Sequence, residues 1–367
     1  MLSITALPTK RLGTCRDVKR PDRRLEADRV EITAPSPRRL RSLDAVRGLA
    51  IVIMLLAGNP FPRQHLPAQL RHVEWHGLTF ADMFFPLFLF AMGVSMTLSR
   101  RSGLVRLVLR RVALLALLGV ALSSLKHERL VVTGVLQHIA GAYLLAWLVL
   151  RAPRRLQPAI GAAILAAVWA AFLLWAGGDG NPWSRQETAA HAVDGWLLGG
   201  FSTEGVLQTV TSAVTVVAGS LIGRAARERP DPRRLYRWVG RHAAWLFAAG
   251  LLIAVVVPLN KRLWTPSFAV LTMGTSCAWF AIFVWLADVR RLRLGVTPLQ
   301  KLGANPIAVY VTFMAARALL DDYRSIWPQF ALLGSDAAGT LLYGAFWVAT
   351  ACLFAHLLFR RNIFLKI

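Results

Sequence analysis

The chain has 367 residues, of which 56% are hydrophobic and 17% charged, with a mean hydropathy of +0.49. That balance excludes an ordinary soluble domain of this length and marks an integral membrane protein. A formal charge of +24, from 43 Lys and Arg against 19 Asp and Glu, would suit nucleic acid, but the basic residues gather in alternate loops, the positive-inside distribution of a membrane protein, and this excludes a nucleic-acid partner.

Residues 1–40 are rich in Arg, Pro and Asp and hold no apolar core of signal-peptide length, so a basic, disordered cytoplasmic tail is expected there. Apolar runs long enough to enter a bilayer then follow, centred near residues 53, 89, 115, 141, 166, 214, 250, 276, 310 and 348. Residues 41–367 are therefore expected to form a multi-pass transmembrane domain: an all-α, polytopic integral membrane bundle of about ten helices. The bias of Lys and Arg places both termini in the cytoplasm.

The first run begins SLDAVRGLAIV, where Asp44 and Arg47 lie three residues apart on one helical face and can pair or hold a ligand. Its far end reads MLLAGNP, with Gly58 followed by Asn59. The next segment, RHVEWHGLTFADMFFPLFLFAMGVSM, runs His72, Glu74, Trp75 and His76 into a helix that carries Asp82 near its start. Ionisable groups at a membrane boundary are costly, which makes a functional role the default expectation. His72 can serve as a base or nucleophile near neutral pH, or simply as an interfacial histidine. Thr79 and Asp82 form the T-x-x-D pattern that starts helices, and Asp82 is also placed to orient His72.

Further along, Gln137 and His138, in GVLQHIAGAYLL, lie inside a predicted span and each needs a partner in the bundle. Residues 177–204 form a long loop on the predicted outer side, with Trp183 and Trp196 as interfacial anchors or as part of a cover over a polar substrate. A second long loop, residues 224–241, carries seven arginines and suits positive-inside retention, anionic lipid or a phosphorylated ligand. In PLNKRLWTPSF, the residues Asn260, Lys261, Trp264, Thr265 and Ser267 offer a pocket wall at a helix entry; in KLGANPIAVYV, Asn305 and Tyr310 are again polar groups within a span. The cysteines Cys15, Cys277 and Cys352 have neither a disulfide nor a metal-ligand spacing.

Taken together, LRSLDAVRGLAIVIM, HVEWHGLTFADMFFPLFLFAMG, TGVLQHIAGAYLL, STEGVLQTV, PLNKRLWTPSF, LGANPIAVYV and the terminal RNIFLKI form an ordered set across residues 40–367. That set resembles the heparan-alpha-glucosaminide N-acetyltransferase family and its bacterial relatives. The resemblance implies transfer of acetyl from cytoplasmic acetyl-CoA, as co-substrate, to an amino sugar or envelope glycan at the outer face of a bacterial inner membrane. The family's catalytic histidine falls at His72, with Asp82 as its partner. Asp44, Arg47, Asn59, Glu74, Trp75, Asn260, Lys261, Trp264 and Asn305 are the expected acceptor-binding set, and Arg110 and Arg111 the contacts for CoA phosphates. Where the family has an asparagine at the end of the first span, this chain has Gly58, with Asn59 beside it. Membrane lipid and a second copy of the chain are the other expected partners. The competing reading is an amino-sugar transporter that uses the same polar cavity without acetyl transfer.

Overall fold

The computed structural model describes residues 40–58, 65–99, 104–127, 129–320, 328–330, 332 and 335–364. The expected N-terminal tail and Asn59 lie outside the described residues. Among those described the regular structure is helical: α1 (Arg41–Gly58), α2 (Phe84–Leu98), α3 (Val105–His127), α4 (Val135–Val149), α5 (Gln157–Leu174), α6 (Ala189–Leu198), α7 (Val206–Glu228), α8 (Pro232–Ala254), α9 (Pro266–Phe283), α10 (Val296–Ala304), α11 (Pro306–Leu320) and α12 (Asp336–Arg360). A 3-10 turn, Ala81–Met83, leads into α2, and a π-helical turn, Val284–Val289, continues α9.

Each predicted apolar centre falls within one of these helices. Five segments among the described residues are long and apolar enough to cross a membrane: Ala81–Leu98, α5, α7, Pro266–Val289 and α12. The expectation of about ten spans is thus met only in part, and the reason is visible in the sequence. Charges crowd one end of the other long helices: Arg41, Asp44 and Arg47 in α1, Arg106, Arg110 and Arg111 in α3, and four arginines in the first turns of α8. Large apolar side chains face outward on α3, α5, α8 and α12, among them Leu117, Leu174, Trp245, Leu252 and Leu353. So much exposed apolar surface belongs against lipid rather than water.

In lipid no hydrophobic force pulls helices together, so close backbone approach through small residues has to do that work. The most extensively packed pairs are α8 with α9, α2 with α7 and α1 with α10. Every one of these seams has a glycine on both sides. A Cβ at Gly93 would collide with the Val216 carbonyl and one at Gly219 with that of Phe90; Gly250 and Gly274 face Leu271 and Phe247, and Gly48 and Gly303 face Leu299 and Asp44. Small residues also permit the burial of Ser212, Thr215 and Ser220 along α7, whose Ser220 hydroxyl donates to the Gly93 carbonyl at 3.1 Å.

The loop expected over residues 177–204 is not without structure. Thr188 caps α6 by accepting from the His191 amide, and Gly199 ends it in the left-handed conformation (φ 78°) that glycine adopts without strain. Asp194 then ties the segment to α7 by accepting from the Ser202 amide at 3.1 Å and the Val206 amide at 2.9 Å. Burial raises the Asp194 carboxyl above its ordinary range, against the lowering effect of those two amides.

Gly219→Val should force α2 and α7 apart and destabilise the protein by roughly 2 kcal/mol or more. Gly240→Ala in α8, where the added methyl meets open space, should instead be neutral or stabilising by up to about 1 kcal/mol. Thermal unfolding midpoints of the detergent-solubilised variants check both, and equal midpoints for the two would refute the seam.

Candidate active site

Two loops meet at the entrance to α2, and neither is held by its own sequence alone. In the first, residues 71–82, the carboxylate of Asp82 reaches back to the chain: its Oδ2 accepts from the Val73 amide at 3.3 Å, the Thr79 amide at 3.1 Å and the Thr79 hydroxyl at 2.8 Å. Only half of the expected T-x-x-D capping box forms: the aspartate reaches back to the Thr79 amide, but the threonine hydroxyl donates to the aspartate instead of capping the helix. The other oxygen, Oδ1, is left for partners outside the turn. It lies 2.8 Å from His72 Nδ1 and 3.0 Å from Lys261 Nζ. Both expected roles of Asp82 coexist because each uses a different oxygen.

Lys261 comes from the second loop, Pro258–Thr265, which its own side chains knit into shape. Asn260 Oδ1 accepts from the Leu263 amide at 2.9 Å, and the Thr265 hydroxyl accepts from the Asn260 amide at 3.1 Å while donating to the Pro258 carbonyl at 2.9 Å. Trp264 sits at φ 50°, an unfavourable value for a bulky residue, and is held there by burial against Phe85, His138 and Phe268. The Gly77 amide donates to the Leu259 carbonyl at 2.8 Å and links the two loops directly. Gln208, at the start of α7, completes the clamp by donating to the carbonyls of Arg262 and Ser202, both at 3.0 Å. Gln208 lies in STEGVLQTV, but nothing in that motif shows that its amide supports a loop more than fifty residues away.

His72, Asp82 and Lys261 form a closed triangle, because Lys261 Nζ also lies 2.9 Å from His72 Nδ1. Asp82 is fully buried whereas the His72 side chain is 42% exposed, so the carboxylate is shielded and the imidazole is presented. One ring nitrogen cannot serve both neighbours alike. With a proton on Nδ1, His72 donates to Asp82 and its Nε2 keeps a free lone pair; with Nδ1 bare, Lys261 donates to it and Nε2 carries the proton. The first arrangement makes Nε2 a base or nucleophile, while the second makes it a donor. Burial lowers the Lys261 pKa from the ordinary lysine value, and the Asp82 carboxylate opposes that shift.

Around this centre, Trp75 donates from Nε1 to the Trp183 carbonyl at 2.9 Å and its ring contacts those of His76, His191 and Phe201. Glu74 is exposed and pairs with Arg185 at 3.6 Å. Asn260 Nδ2 lies 3.4 Å from His76 Nδ1, and burial lowers the pKa of His76. Beneath the Lys261 loop, His138 bonds through Nε2 to the Ser212 hydroxyl at 2.7 Å and packs against Trp264, with the rings tilted by 41° and their centroids 5.3 Å apart. His138 Nδ1, Trp264 Nε1 and both amide atoms of Gln137 are buried without a hydrogen-bond partner among the described residues. The expectation that a buried Gln137 has a partner within the bundle is thus not met.

The remaining candidates lie elsewhere. Asp44 and Arg47 are 3.7 Å apart on α1, and Arg47 bonds the Ser95 hydroxyl, about 20 Å along α2 from Asp82. Asn305 bridges the α10–α11 break to the Ile363 carbonyl at 2.8 Å. Arg111 packs its guanidinium 4.7 Å over the Tyr143 ring, and Arg110 is exposed on α3. Of the expected acceptor set, the structure gathers Glu74, Trp75, Asn260, Lys261 and Trp264 around His72 and Asp82.

Residues 39–179 match the family model described as heparan-alpha-glucosaminide N-acetyltransferase, catalytic. Among curated proteins, the mouse heparan-alpha-glucosaminide N-acetyltransferase is 27% identical over 94% of this chain and 63% of its own length. The human protein of the same name is 26% identical over 90% of the chain and 60% of its own length. The chain thus spans about three fifths of the length of these relatives.

Asp82→Ala would strip the partner from Lys261 and from three donors of its own turn, so a loss of roughly 3–5 kcal/mol is expected. Adding Lys261→Met should recover part of it, because the uncompensated charge leaves as well. Unfolding midpoints of the two single variants and the double variant test this; strictly additive losses would mean the two groups are not coupled.

Proposed function

From the likeness of residues 39–179 to the heparan-alpha-glucosaminide N-acetyltransferase family, we propose that the chain is a member of it and a transmembrane N-acetyltransferase that moves an acetyl group from acetyl-CoA to the amine of an amino sugar or envelope glycan. The observation that carries this reading is the triangle of His72, Asp82 and Lys261. An exposed imidazole backed by a buried carboxylate is the arrangement that activates an amine or attacks a thioester. In the direct route, His72 Nε2 removes a proton as the acceptor nitrogen attacks the thioester carbonyl; the C–S bond breaks and the CoA thiolate takes up the proton. In the two-step route, Nε2 attacks first, CoA leaves, and the acceptor amine then displaces the imidazole.

In either route Asp82 holds the tautomer with Nδ1 protonated, and Lys261 neutralises the carboxylate between turnovers. Around the centre, Glu74 and Trp75 keep exposed surface that a sugar can meet, while the buried Asn260 and Trp264 support the loop that carries Lys261. The proposed setting is a bacterial inner membrane with the His72 end at its outer face and both termini inside, which the bias of Lys and Arg supports, so that the donor approaches from the arginine-rich end. There Arg110 and Arg111 are the proposed contacts for its phosphates. Asp44, Arg47 and Asn305 lie away from His72 and are assigned to the donor's path, as is Asn59 by its sequence position.

Purified protein incubated with labelled acetyl-CoA and glucosamine should form labelled N-acetylglucosamine. His72→Ala should lower that rate by about 10²-fold or more, with CoA binding retained. No product from the wild type, together with glucosamine uptake into proteoliposomes, would replace the enzyme with a transporter. Trapping of acid-labile acetyl on the wild type without acceptor separates the two-step route from the direct one.

A further inference from the structure

The arginine-rich end of α7 and α8 holds a crevice that the acetyl-transfer reading does not use. Its volume is about 480 Å³, within the range of small-molecule sites. The walls are apolar, with Leu221, Ile222, Leu246 and Cys277 among them, and the rim carries Arg154, Arg224 and Arg229 beside Trp238 and Glu228. Arg224 lies about 24 Å along α7 from Gln208, the residue that clamps the Lys261 loop. This crevice is therefore remote from His72.

Three guanidiniums at the rim share one carboxylate. Glu228 reaches Arg154 at 3.9 Å and Arg229 at 3.8 Å, both too long for a direct hydrogen bond, while Arg224 spends a donor on the neutral Gln157 side chain at 2.6 Å. The Arg229 guanidinium lies over the Trp238 ring, 4.6 Å from its centroid. The rim is thus net positive and built from groups that chelate phosphate oxygens. On α8, which supplies Trp238 and Leu246 to the crevice, Trp245 and Leu252 are exposed apolar side chains suited to lipid.

A ligand complementary to both halves carries an anionic phosphate on an aliphatic chain. We propose that this crevice is a binding site for an anionic glycerophospholipid, with the phosphodiester at Arg154, Arg224 and Arg229 and an acyl chain along Leu221, Ile222 and Leu246. Coenzyme A satisfies only the phosphate half, and a zwitterionic lipid brings its own cation to a rim that already has an excess. Basic pockets between membrane helices recognise headgroups on these terms.

Native mass spectrometry of delipidated protein, with phosphatidylglycerol or phosphatidylcholine of matched chains added back, tests the site. Wild type should retain phosphatidylglycerol at least about fivefold over phosphatidylcholine, a comparison that needs no variant. The double variant Arg154→Gln, Arg229→Gln should lower phosphatidylglycerol retention about tenfold. Leu221→Trp, which fills the crevice and keeps its charges, should lower it as well, whereas Arg234→Gln, outside the crevice, should not. Equal retention of the two lipids by wild type would overturn the proposal. So would unchanged retention in the double variant, or displacement of the lipid by micromolar glycerol 3-phosphate or coenzyme A.

Discussion

The candidate site depends on how one buried carboxylate divides its two oxygens. Oδ2 of Asp82 closes the turn that starts α2, and Oδ1 is thereby aimed at His72 and Lys261. A carboxylate in a membrane protein interior needs a compensating charge and several donors to remain ionised. Local capping supplies the donors and a loop from the far side of the sequence supplies the charge. Neither arrangement suffices without the other, and this is why the turn and the proposed catalytic centre are one construction.

That construction needs a stable frame. The frame comes from glycine-lined seams, where α2 meets α7 and α8 meets α9 at backbone contact. Those pairs carry the two loops of the site: α2 follows the His72 loop, and α9 follows the Lys261 loop. The clamp from Gln208 adds α7 to the same junction. Close packing in lipid is driven by shape and backbone contact, so the helix ends are set with little freedom, and a triangle of bonds near 3 Å survives between segments far apart in the chain.

The two ends of α7 differ in character, and the difference follows from electrostatics across a bilayer. One end receives His72, Lys261 and the capped segment around Asp194. The other ends in arginines that bond Gln157 and the Thr97 carbonyl. Charges are kept out of the middle because burying them there is costly, so the His72 triangle and the arginine cluster separate to opposite ends. The polar groups between them include His138, Gln137, Ser212, Thr215 and Ser220, and none of these is a carboxylate or a guanidinium.

From the amino-acid sequence alone, composition and charge determine the membrane class and the all-helical fold, and the apolar runs locate helices around each predicted centre. His72, Asp82 and Lys261 were each visible as polar residues at helix entrances, because an ionisable group beside an apolar run stands out locally. Their union was not visible: Lys261 lies 189 residues from His72, and only the packing of α2, α7 and α9 brings the two loops together. Asp44 and Arg47 stood out by the same local rule and are placed at the opposite end of α2. Which helices carry apolar runs long enough to span is likewise a local property, whereas which polar groups share a pocket is decided by helix contacts. Periodicity and charge are written along the chain, but the three-dimensional approach of two loops is a property of the packed bundle, and the triangle exists only there.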